Sequence, residues 1–275
     1  MRKITILRAG IPLLLIVAIW LWYIPAVRAS SADAVWPENS GSAVENNGKL
    51  SLDYSHADQG YVMARVTTPT GHRMKLRVKA PNGQLDYDLS DDGAYSVFPL
   101  QLGNGQYNFL LYENVTGTKY SSEGKIAISV SLSDPNMAFL APNQYVDYTI
   151  DSPTVQKSDE LAGSASKREI YEAVCKFISK EFNYDFVRAQ TIPAGSLPEV
   201  DPCFDKRSGI CQDLAAVMVC MLRVQGVPAR LVIGYADKYY HAWTMAMVDG
   251  EELFFDPTAA IGAMSAKSYQ TERYY

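Results

Sequence analysis

The sequence predicts an α+β fold in two parts, a β-sandwich followed by a mixed domain of helices and strands. Three observations predict it. Short runs with apolar residues at every second position fill residues 50–150, helical spacing replaces them after residue 151, and a cysteine, a histidine and an aspartate follow in that order in the second part. A chain of 275 residues can bury one large core or two modest ones. The change of period divides it into residues 1–29, 30–49, 50–150 and 151–275.

Residues 1–29 read as an export segment. Arg2, Lys3 and Arg8 precede an apolar run over 9–27, interrupted by Pro12 and Pro25, and Val27-Arg28-Ala29 offers a cleavage site before Ser30. The run also approaches the roughly 20 residues that span a bilayer. A cleaved signal peptide and a retained membrane anchor therefore both remain open, and both place the rest of the chain on the outer side of the membrane, secreted or surface-held. Residues 30–49, rich in Ser, Asn, Gly and Ala without periodicity, read as a linker.

In the first folded part, Met74, Leu76 and Val78, then Tyr107, Phe109 and Leu111, then Ile126, Ile128 and Val130 alternate with polar residues. Turn signals at Pro81-Asn82-Gly83, Asp91-Asp92-Gly93, Gly103-Asn104-Gly105 and Thr116-Gly117 separate these strands at the spacing of an antiparallel sandwich, which predicts an immunoglobulin-like domain. His56 and His72 read there as surface loop residues, and spacing or partner binding is the role left to this part. The net charge of −5, without a basic run, excludes the clustered cations of a nucleic-acid binder.

The second part carries the chemistry. Ile170, Val174, Phe177 and Ile178 have helical spacing, and residues 183–207, with Pro193, Pro198 and Pro202, read as a long surface loop. Leu214, Val217, Met218, Met221 and Leu222 mark a helix over 211–225 with one buried stripe, stopped by Gly226 before Pro228. Cys211 then sits in the first turn, where unpaired amides and the helix dipole favour a thiolate, and its own amide can serve an oxyanion. Gly209 permits a tight turn and leaves room for a substrate carbonyl. Asp213 faces away from the stripe and suits bonds to local backbone or a neighbouring loop.

Strands over 230–235, 240–248 and 251–255 follow, the last two joined by Asp249-Gly250, a strong hairpin signal. With those two residues as the loop, Val248 pairs with Glu251 and Trp243 with Asp256. His241 and Asp256 then share a face as diagonal neighbours, about 7 to 8 Å apart in backbone, a gap their side chains can close. A carboxylate that orients an imidazole beside a thiol is the arrangement that activates a cysteine nucleophile. Trp243 reads as packing that shields the pair.

The four cysteines are Cys175, Cys203, Cys211 and Cys220. With Cys211 free, an odd remainder allows at most one disulfide; Cys175 and Cys220 lie in helical segments and Cys203 in the Pro-containing loop. Their spacing, with only three histidines in the chain, fits no zinc motif, so no metal or other cofactor is expected.

Gly209 to Asp213 (Gly-Ile-Cys-Gln-Asp), Gly226-Val227-Pro228-Ala229-Arg230 leading into Gly234-Tyr235, His241-Ala242-Trp243 and Asp256-Pro257-Thr258 together resemble the transglutaminase-like superfamily, with bacterial exported members as the nearest type. The resemblance covers roughly residues 170–260 and implies a papain-like nucleophile helix on an antiparallel sheet. By position it implies Cys211 as nucleophile, His241 as base and then acid, and Asp256 as the group that holds the imidazole. Phe182-Asn183-Tyr184 resembles the stretch before the nucleophile, which makes Tyr184 a candidate oxyanion donor. A cysteine hydrolase or acyltransferase acting on an amide is the implied activity, with water giving a peptidase or amidase and a lysine-type amine a crosslinker. A protein or peptide outside the cell, wall peptide included, is the implied substrate. The alternative reading is a non-catalytic binding or scaffolding protein that keeps the fold.

Overall fold

The protein is described as a computed structural model over residue 31 and residues 34–275; the predicted export segment, 1–29, lies outside the described residues. Among those residues no helix is long and apolar enough to cross a membrane. Eight strands come first: β1 Val44–Asn47, β2 Leu50–Asp53, β3 Tyr61–Val66, β4 Met74–Ala80, β5 Gly83–Leu89, β6 Ser96–Pro99, β7 Gly105–Thr116 and β8 Lys119–Val130. They form two four-stranded antiparallel sheets, ordered β1-β2-β3-β6 and β5-β4-β7-β8. The period-two pattern explains the layering. Met74, Leu76 and Val78 are buried while Lys75, Arg77 and Lys79 alternate with them, and Tyr107, Phe109 and Leu111 do the same on β7. These inner residues share a core with Leu50, Leu52, Val62, Ala64 and Phe98 of the other sheet.

The stretch read as linker is partly structured. β1 lies inside it as an edge strand paired with β2 through a two-residue loop, with Gly48 at φ 58°. Every residue of β1 is exposed, so no apolar alternation announces it; the only signal is Asn47-Gly48, a turn pair. Upstream, the Trp36 ring meets Tyr148 edge-on at 5.9 Å and its Nε1 donates to the Ser31 carbonyl at 2.8 Å.

The second part opens with α1 Pro153–Ala162, which has proline in its first turn where no amide bond is lost, and α2 Lys167–Glu181, started by a Ser166/Glu169 capping box. β9 Asn183–Tyr184, α3 Phe186–Thr191, α4 Val200–Lys206 and β10 Ser208–Gly209 follow. Residues 183–207 are thus not one long loop. Asp185 caps α3 by accepting from the Arg188 amide, and Pro202 sits early in α4, where its missing N–H costs nothing. Cys203 accordingly lies in a helix.

α5 Cys211–Arg223 runs through the centre and packs on an antiparallel sheet ordered β13-β12-β11-β14, made of β11 Ala229–Ala236, β12 Tyr239–Val248, β13 Glu251–Phe255 and β14 Tyr269–Tyr274. A short α6, Pro257–Ala260, separates the last two strands. The expectation of a single buried stripe on α5 is corrected. Every residue from Asp213 to Arg223 is buried, because α1, α2 and α4 cover the side opposite the sheet. At the far end of α5 Arg223, fully buried, donates to the carbonyls of Ala229, Ala141 and Tyr275, tying the helix to the connector after the sandwich.

Candidate active site

β12 and β13 set the first distance. Asp249 and Gly250 have φ of 52° and 83°, the two left-handed residues of a tight hairpin, and the ladder pairs Val248 with Glu251 through Thr244 with Phe255. This is the register read from the sequence, and it carries Asp256 to the level of Trp243. His241 Nε2 and Asp256 Oδ2 are 2.9 Å apart, with both side chains buried.

The motif Asp256-Pro257-Thr258 has a local explanation. Asp256 is the N-cap of α6: its Oδ1 accepts from the amides of Thr258 at 2.9 Å and Ala259 at 3.2 Å, and Pro257 fills the first helical position. One oxygen is spent on the helix start, which pins the carboxylate plane. The other faces the histidine.

The Cys211 end of the site is built by a short parallel pairing. β9 lies beside β10, with Tyr184 opposite Gly209, two residues before Cys211. Cys211 is half-buried at the N-terminus of α5 and close enough to the His241 ring for its sulfur to raise the imidazole. Since Nε2 is engaged with Asp256, Nδ1 is the ring nitrogen left for the thiol. Burial and then the Cys211 side chain push the Tyr184 phenol up to about 12, so it stays protonated at neutral pH.

The charges oppose burial. Burial alone pulls the His241 imidazole down, yet the bonds to Asp256 and Cys211 outweigh it and raise it from 6.5 to about 9. For Asp256 burial pushes upward, and the bonds from His241 and Tyr269 hold it below the ordinary carboxylate range. At neutral pH the pair is therefore an imidazolium against a carboxylate. The remaining thiols differ. Burial drives Cys175 up to about 12 and raises Cys203 and Cys220 well above the ordinary range, and all four cysteines are free.

Trp243 is buried with its ring 6.3 Å from that of His241 and nearly parallel to it. Gly209 is needed for another reason than a turn. Its φ is not positive, but a Cβ there would stand 2.5 Å from Cys203 Sγ and 2.9 Å from Asp213 Cβ. Asp213 does bond backbone and a neighbouring element, accepting from Ile210 N and Glu199 N at 3.1 Å each and from Arg188 Nε at 3.0 Å. It is nevertheless fully buried, because α3 and the approach to α4 close over it. Among the described residues no group of three His, Cys, Asp or Glu could hold a metal ion.

One residue escaped the sequence reading. Tyr269 Oη donates to Asp256 Oδ2 at 2.7 Å, and its ring lies edge-on to Trp243 at 5.2 Å and to Phe254 at 4.8 Å. It is one of 18 tyrosines and lies beyond the last recognisable motif, so nothing local marks it.

Residues 155–257 match the family model of the transglutaminase-like superfamily. Among solved structures the chain is similar to one described as a TGase (18% identity, TM-score 0.34, 42% of this chain and 32% of that one). It is also similar to a candidate cysteine protease from Cytophaga hutchinsonii (14%, 0.40, 85% and 90%) and to the periplasmic domain of TgpA from Pseudomonas aeruginosa, bound to ethylmercury (19%, 0.36, 82% and 78%). The chain spans about a third of the length of the first of these. No curated protein sequence matches it.

Proposed function

Residues 155–257 belong to the transglutaminase-like superfamily, and from that premise we propose that the chain is an exported cysteine enzyme that cleaves or transfers the acyl group of an amide through a thioester on Cys211. The observation that carries this reading is the His241 imidazole, bonded to a pinned carboxylate on one nitrogen and available to Cys211 on the other. The thiolate attacks the amide carbon, and the Cys211 amide with the Tyr184 hydroxyl receives the developing oxyanion. His241, protonated at neutral pH, gives its proton to the leaving amine or ammonia as the C–N bond breaks. The neutral imidazole then takes a proton from water or an amine as that nucleophile attacks the thioester, and the C–S bond breaks to return the Cys211 thiolate beside the imidazolium. Asp256 holds the ring throughout, and Trp243 keeps water from the pair.

Export rests on the basic flank and the apolar run over 9–27. A protein or peptide outside the cell, wall peptide included, is the substrate class, and the N-terminal segment supplies membrane anchoring where it is retained. The sandwich we read as immunoglobulin-like, because β2-β3-β6 and β5-β4-β7-β8 order their strands in the manner of that fold. The test is incubation with a panel of glutamine-containing and wall-type peptides, with and without a primary amine. Mass spectrometry follows acylated Cys211, released ammonia, cleaved peptide and amine-linked product. A Cys211-bound acyl group that Cys211→Ala abolishes supports the reading; product formed equally by Cys211→Ala contradicts it, and the water-to-amine ratio names the reaction.

A further inference from the structure

Asp256 Oδ2 has two donors. His241 Nε2 approaches at 2.9 Å from β12, and Tyr269 Oη at 2.7 Å from the start of β14. In the sheet β14 pairs only with β11, at the edge opposite β13. The side chain nevertheless crosses the sheet face, with its ring set against Trp243 of β12 and Phe254 of β13. Those two aromatic contacts fix the ring, and the ring aims the hydroxyl. With Thr258 and Ala259 on Oδ1, the carboxylate accepts four hydrogen bonds, a set that leaves its plane no freedom.

We propose that Tyr269 is a positioning residue of this site: its hydroxyl locks the Asp256 carboxylate against His241 and takes up part of the negative charge that the imidazole would otherwise receive whole. The inference rests on the catalytic reading above and deepens it. A histidine that must give its Nδ1 proton to a leaving amine is a poorer acid the more firmly a carboxylate on Nε2 stabilises the imidazolium. Asp256 is needed to orient the ring, and sharing Oδ2 with a phenol keeps its grip moderate. The other ionisable groups around the pair are Cys211 at the start of α5, Tyr184 on β9 and Asp237 in the β11–β12 turn. Burial first and Asp256 second push the Tyr269 phenol well above its ordinary range, so it remains a donor wherever the histidine titrates.

The chain has three histidines, His56, His72 and His241, so ring resonances can be followed one by one by NMR through a pH titration. In the wild type the His241 midpoint is expected near 9. Tyr269→Phe keeps the ring contacts and removes only the hydroxyl. It should move that midpoint upward by about 0.5 in pH, the size of one neutral hydrogen bond redirected to the histidine, while His56 and His72 stay in place. Site-specific 3-fluorotyrosine at 269, a stronger donor that preserves the fold, should move it downward, which keeps the test decisive if the phenylalanine variant is unstable. An unmoved His241 midpoint in both proteins overturns the proposal. Asp256→Asn serves as the control for the underlying reading. If it leaves the midpoint near 9, the His–Asp pair itself is refuted; if it lowers the midpoint while both Tyr269 variants leave it fixed, only the role of Tyr269 is.

Discussion

The chain holds two clusters in which a carboxylate meets a histidine and a hydroxyl. On the sandwich, Glu113 accepts from His72 Nδ1 at 2.6 Å and Thr70 Oγ1 at 3.0 Å and pairs with Lys49. In the second part, Asp256 accepts from His241 and Tyr269. The residue types are nearly the same, and the surroundings are not. The His72 side chain is 59% exposed and that of His241 is 5% exposed. Lys49 neutralises Glu113 and pulls it down to about 2, with the His72 bond second. No lysine or arginine pairs with Asp256 among the described residues, so the imidazolium is its counter-ion, and a thiol waits on the ring's other side. Burial of the imidazole and a thiol beside it, rather than the pairing, are what separate the two clusters.

The largest expected contrast is at the nucleophile. Cys211→Ala should lower acyl transfer or hydrolysis by at least about 10⁴-fold, whereas Glu113→Gln should leave turnover within about 2-fold, since its partners Lys49, His72 and Thr70 all lie in the first part of the chain. Steady-state assays on whichever peptide the panel yields check both; a comparable loss from Glu113→Gln would break the comparison. Next is the orienting group. Asp256→Asn keeps the shape but removes the charge, and a loss of about 10²- to 10⁴-fold in kcat is expected, the range for a mis-set acid–base group.

The smallest effect is on stability, and its sign differs between the clusters. His241 is raised on folding, so its pair stabilises fully below pH 6.5 and that contribution is lost as pH climbs through about 9. Glu113 is depressed, so its contribution is present above pH 4.5 and is lost as pH falls through about 2. Urea unfolding of His241→Ala and Glu113→Gln beside the wild type should show the pH-dependent part of each difference fading at opposite ends of the pH scale, above a constant packing loss for the buried His241 ring. A His241 difference that does not shrink between pH 7 and pH 9.5 would contradict the assignment.

What could be read from the sequence follows from how local each signal is. The His241–Asp256 approach was legible because a two-residue Asp249-Gly250 turn sets register by counting, and side chains alternate with period two. The helix that begins at Cys211 was legible from apolar spacing; its burial on every side was not, because that depends on α1 and α4 packing on it from elsewhere in the chain. Prolines at 193, 198 and 202 argued for loop over 183–207, yet Pro202 lies in a first helical turn, where proline is tolerated. The constraint on Gly209 comes from Cys203 and Asp213 rather than from its own dihedrals, and residues 6 and 4 positions away along a folded chain are not read from a local turn signal. Tyr269 was beyond reach: its hydroxyl arrives by way of a strand on the far edge of the sheet, and no short-range pattern encodes such a crossing.

The central claim is that one thiol of four is set apart by His241, and alkylation tests it without a known substrate. The folded protein is treated with iodoacetamide at pH 6.5 and each cysteine is read by mass spectrometry, in the wild type and in His241→Ala. Cys211 should be modified first, with Cys175, Cys203 and Cys220 protected by burial and their raised thiols, and the substitution should slow Cys211 by about 10-fold or more. Labelling of Cys211 no faster than Cys175, or at the same rate without the imidazole, would contradict the account.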